Sequence, residues 1–155
     1  MSSARPRQVP VIEDAALAAL QDTLAAEHAA LWSYGLAVAF LPEDLADEAR
    51  ADAAAHARLR AAVEQTLTDL GRRPVSALPA YATPFPVEDA DAAARLAVVA
   101  ESDALVSWRA VLERTADRTL REAALDALTG TTLRSARWRE RTGERPAVPT
   151  FPGRP

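Results

Sequence analysis

The chain has 155 residues, enough for one domain with a core of its own. Eighteen basic against 22 acidic residues leave a net charge of −4. That balance argues against nucleic acid as the main partner, because neutralising phosphates needs a basic surface. No cysteine is present, which excludes disulfides, thiolate metal sites and cysteine nucleophiles.

Hydrophobic residues make up 49% of the chain and aromatics only 5%. Ala supplies much of the difference, and Ala is the best helix former, so the expected fold class is all-α. Every basic residue is Arg, the mark of a GC-rich genome. The eleven prolines cluster at 6–10, 42, 74–86 and 146–155 and leave three long stretches free of proline.

Residues 1–11 read as a disordered arm, 12–142 as the helical domain and 143–155 as a Pro-rich tail. The arm lacks the apolar run of a signal peptide. No window reaches the ~18 uncharged apolar residues of a membrane span. The expectation is a cytoplasmic protein with no membrane partner.

A first helix is expected from about Glu13 to Leu41, with carboxylates in its first turn, where they suit the helix dipole. Pro42 closes it or opens the next. A second helix follows from near Asp44, read as its N-cap, to Leu70, and Gly71 stands just past its end. Arg72–Val87 is Pro-rich and reads as extended. A third helix starts near Glu88–Asp91 and runs to about Thr115. After a short break at Ala116–Arg118, a fourth ends near Arg141, before Gly143. Gly130 weakens that helix by about 1 kcal/mol relative to Ala.

Short connections make helices one and two, and helices three and four, antiparallel neighbours. The segment between the pairs, roughly 16 residues, spans about 50 Å when extended. A helix of about 27 residues is only about 40 Å long. The predicted architecture is therefore an antiparallel four-helix bundle with one long crossover between helices 2 and 3, the connection pattern of ferritin-like folds.

Each helix shows an apolar seam at spacings of three and four, and each seam is interrupted. In the first helix the intruder is Glu27. An ionised carboxylate at a core position is costly without a partner, a proton or a metal. Asp52 and His56 interrupt the second seam and Glu101 the third. On the fourth, Thr131 and Ser135 carry hydroxyls and Arg134 flanks them. Counting from the turns puts Glu27 and His56 within about 3 Å in height. Glu101 falls opposite Thr131–Ser135. A polar layer at mid-height is expected from Glu27, His56, Glu101, Arg134 and Asp52.

The runs AAEHAALWSYG around Glu27, DAAAHARLR around His56 and VVAESDAL around Glu101 carry a resemblance to the ferritin-like superfamily, over about residues 13–141. More narrowly, the chain resembles uncharacterised ferritin-like domains of high-GC bacteria. Di-iron members of that superfamily use a lone Glu on one helix of each hairpin and Glu-x-x-His on the other. The resemblance maps Glu27 and Glu101 onto the lone acids and His56 onto the first histidine. The acid expected three residues before His56 is Ala53, and Asp52 is an imperfect substitute. The second Glu-x-x-His would fall on Thr131-x-x-Arg134, where both ligands are missing.

Arg cannot ligate a metal, but it pairs bidentately with carboxylates. Arg134, with Arg58 and Arg109 as rivals, is expected to replace metal charge in neutralising Glu27 and Glu101. The leading expectation is thus a degenerate polar core without a cofactor and a binding or assembly role, with a homodimer through an Ala-rich helix face. The alternative is a mono- or di-iron, or manganese, carboxylate protein with oxidase-type activity, its metal held by Glu27, His56 and Glu101. His28, beside the seam, reads as a flank residue. Trp32, Tyr34, Trp108 and Trp138 read as packing, with Tyr34 also near enough to bond the cluster. No phosphate loop, nucleophile–base pair or zinc motif is present.

Overall fold

The structure, a computed structural model, describes residues 11–154. Four helices account for the regular structure: α1 (Asp14–Val38), α2 (Glu43–Asp69), α3 (Ala90–Arg114) and α4 (Arg118–Thr142). No strand occurs among the described residues, and no helix among them is long and apolar enough to cross a membrane. Of the arm expected at 1–11, residues 1–10 lie outside the described residues; Val11 is exposed.

Two helix ends differ from the sequence reading. α1 stops at Val38 rather than Leu41, because the N–H groups of Ala39 and Phe40 bond the carbonyls only three residues back, at Leu36 and Ala37, and tighten the last turn out of the α pattern. Pro42, not Asp44, holds the N-cap position of α2, and Asp44 falls in the first turn. Proline suits a helix start, since its missing N–H would have had no partner there. The second hairpin is capped by side chains: Asp89 accepts from the Ala92 N–H at 2.7 Å, and Asp117 from the Leu120 N–H at 2.8 Å.

With the α1–α2 turn taken as the upper end, α1 ascends, α2 and α3 descend and α4 ascends. Glu13, at the foot of α1, accepts from the Thr115 hydroxyl at 3.0 Å and the Ala116 N–H at 2.8 Å, which ties it to the lower α3–α4 turn. The crossover therefore climbs the full height of the bundle. It does so along α1. Gln21 donates to the Arg73 carbonyl (2.8 Å) and accepts from the Val75 N–H (2.9 Å). His28 is buried and donates from Nε2 to the Val75 carbonyl at 3.1 Å, so its role is to hold this strap. Higher up, Tyr81 packs on Trp32 and Phe85 lies under the Arg95 guanidinium.

The core falls into two parts. The upper one is rich in Ala and is filled by Tyr34 and Trp138. The lower one is built from Leu20, Leu24, Val63, Leu67, Val111 and their neighbours. After α4, Gly143 turns the chain at φ +74°, and the tail descends on the outside of α3. Arg109 Nη1 donates to the Pro152 carbonyl at 3.1 Å. Gly153, at φ +77°, lies so close to the Leu105 carbonyl that a Cβ would overlap the backbone there.

Candidate functional site

Between the two core parts lies a layer of buried charge. Glu27 on α1, His56 on α2 and Glu101 on α3 all have zero exposure, and Arg134 on α4 is buried as well. His56 stands between the two acids. Its Nδ1 is 2.6 Å from Glu27 Oε2, and its Nε2 is 3.0 Å from Glu101 Oε1. A neutral imidazole donates from one nitrogen only; the imidazolium donates from both and satisfies both carboxylates. Burial alone would push the His56 pKa down, but the hydrogen bonds and charges of Glu101 and Glu27 outweigh it and raise the value from 6.5 to about 9.

The remaining donors complete each acid. Trp108 Nε1 donates to Glu27 Oε1 at 2.7 Å. The Tyr34 hydroxyl donates to Glu101 Oε1 at 2.6 Å. Burial first, and the Glu101 charge second, push the Tyr34 pKa well above its ordinary value, so the phenol keeps its proton. Arg134 Nε donates to Glu101 Oε1 at 3.0 Å and to Oε2 at 3.3 Å, while its Nη2 donates to the Thr131 hydroxyl at 2.9 Å. Two carboxylates, one imidazolium and one guanidinium sum to zero.

Arg134 reaches Glu101 and not Glu27, whose positive partner is His56. Of the rivals, Arg109 pairs with Glu113 on its own helix, and Arg58 bonds neither acid. Asp52 is buried one turn above His56 but belongs to a neighbouring pair of bonds. It accepts from Trp138 Nε1 and from Arg137 Nη2, each at 2.8 Å. Burial pushes its carboxyl above the ordinary value against the pull of the Trp138 bond and the Arg137 charge. Trp108 and Trp138, which read as packing in the sequence, are hydrogen-bond donors to buried acids, and Arg137 is a further cation that the helical pattern does not single out. Trp108 follows Glu101 by seven residues, two turns along the same face of α3, which places the indole near the layer but does not aim its N–H at Glu27.

The donor set fits a metal poorly. A ligating imidazole needs a free lone pair, and both nitrogens of His56 are engaged with carboxylates on opposite edges of the ring. Glu27 and Glu101 are held apart by that ring. Among the described residues, no group of three or more His, Asp or Glu side chains is arranged to hold a metal ion.

A crystal structure of a conserved hypothetical protein, rv2844, from Mycobacterium tuberculosis is similar to this chain, with a TM-score of 0.80 and 35% identity over 89% of this chain and 97% of that one. No curated protein matches. A family model described as "Domain of unknown function (DUF4439)" matches residues 19–155, a span that holds all four members of the charged layer and the tail folded on α3. The chain thus belongs to the DUF4439 family.

Proposed function

We propose that this protein is a ferritin-like bundle in which a closed set of ion pairs stands in place of a metal centre, and that it acts as a binding protein rather than an oxidase. The helix order and the single long crossover support the ferritin-like assignment. The observation that carries the rest is the His56 ring, bonded to an acid at each nitrogen. Arg134 adds the second positive charge on the helix where such bundles would carry a ligand. An interior already neutral and bonded has no need of a cation.

Elemental analysis of protein purified without chelator tests this. The expected result is iron and manganese far below one ion per chain. Near-stoichiometric iron or manganese that is lost in His56→Ala would overturn the reading and favour the carboxylate metalloprotein. Self-association is a second reading, favoured by Leu125 and Leu133, which stand 52% and 60% exposed on α4. Sedimentation of the full chain at rising concentration tests it: a dimer is expected, and a monomer throughout rejects it.

A further inference from the structure

The four sides of the bundle do not close equally. α2 and α4 approach each other less closely than the other three neighbouring pairs. Near the top, the gap is bridged by Trp138 and Arg137 on Asp52 and by Arg137 and Arg141 on Glu48. Below Arg134, no side-chain hydrogen bond or ion pair joins the two helices among the described residues. A cavity of about 400 Å³ opens there. Leu59, Ala127 and Gly130 line it, Arg134 closes its upper end, and Arg58 and Asp126 stand on its exposed rim. A second cavity of about 390 Å³ continues below, shares Ala123 with the first and is walled by Leu70 and Leu120.

Arg134 gives this cleft its chemistry. Its Nε and Nη2 are committed to Glu101 and Thr131, and among the described residues no acceptor bonds Nη1. Nη1 faces the cleft beside Gly130, 3.5 Å from the place a Cβ of residue 130 would take. A guanidinium already fixed by two partners, with free N–H groups at the end of an apolar trough, is preorganised for a carboxylate. The charges on the rim, Arg58 and Asp126, oppose each other. Asp69 and Asp117 line the lower end and repel a negative head, which sets the orientation.

We propose that the α2/α4 cleft binds an apolar monocarboxylate, its carboxylate on Arg134 Nη1 and its hydrocarbon body extending down toward Leu70 and Leu120. The proposal deepens the binding role above and rests on it in one respect, a guanidinium held by Glu101. Metal content tests that reading and ligand titration tests this one, so the two fail separately.

The experiment is calorimetric titration of the full chain at neutral pH with octanoate, 1-octanol and octylammonium. Octanoate is expected to saturate one site, at least about tenfold tighter than the alcohol, which offers no charge-assisted bond to Nη1. Octylammonium is expected to bind more weakly still. Gly130→Leu fills the trough beside Nη1, leaves the Glu101 bonds in place and improves helix propensity. It should abolish octanoate binding without lowering the melting temperature. In the unaltered chain, octanoate should shift the amide resonances of Leu59 and Gly130 and leave that of Ser102, on α3, unmoved. Equal affinity for acid and alcohol, no saturable octanoate binding, or shifts centred on α3 would each overturn the proposal. So would octanoate binding retained in Gly130→Leu.

Discussion

Glu101 and Asp52 are both buried acids on helix seams, yet they are neutralised in different ways. Glu101 is bonded by Tyr34, His56 and Arg134, all buried. Asp52 is bonded by one buried group, Trp138, and by Arg137, whose side chain is 44% exposed. The first acid lives in a dry network where every charge depends on its neighbour. The second sits at a boundary, with water screening its cation. Similar burial therefore conceals different coupling. Losing one member of a dry network leaves an uncompensated charge, whereas losing a screened partner leaves water to take its place.

The difference can be broken or sharpened by measurement. The largest effect is expected from His56→Gln, which removes the cation shared by Glu27 and Glu101. Urea denaturation should show a loss of about 3–5 kcal/mol, the usual cost of breaking a buried pair. A loss no greater than that of Asp52→Asn would erase the distinction between the two acids.

Next in size is the pH dependence. The His56 pKa is raised on folding, so its contribution is complete below the ordinary value of 6.5 and drains away as pH rises through about 9. Stability should fall by a few kcal/mol over that interval. His56→Gln should flatten the fall. Asp52, with a raised carboxyl, follows the same sign but from its own ordinary value of 3.8, so its titration belongs to the acid limb of the curve. A flat profile between neutral pH and pH 9 in the unaltered protein would mean that His56 is not the imidazolium.

Trp108→Phe keeps the ring's bulk approximately and removes one N–H from Glu27. Its cost should be about 1–3 kcal/mol, the range for a buried acceptor deprived of a donor. Thermal unfolding with unchanged near-ultraviolet signals elsewhere would isolate that bond. The smallest effect belongs to Arg137→Ala, expected at no more than about 1 kcal/mol because the cation is half in solvent. A cost equal to that of His56→Gln would place Asp52 in the same class as Glu101.

Much of this arrangement was legible in the sequence, for a plain reason. Glu27, His56 and Glu101 occupy positions where the helical period demands apolar side chains, and their spacing from the turns sets their height. The run from Arg72 to Val87 announced a crossover through its prolines and its length. Other features were hidden. Trp108 and Trp138 look apolar in any pattern of hydrophobicity, and only coordinates reveal an indole N–H aimed at a carboxylate. Which acid Arg134 meets depends on helix rotation, which a seam does not specify to within one side chain. That the crossover lies along α1, fastened by Gln21 and His28, depends on bonds to backbone carbonyls that residue spacing does not encode.

The central layer has a consequence for assembly. The α1–α2 hairpin contains Glu27 and His56, and the α3–α4 hairpin contains Glu101 and Arg134. Each half thus brings its own counter-ion. When the halves dock, each carries an internally balanced pair into the dry interior, so neither must shed the hydration of a lone ion at that step.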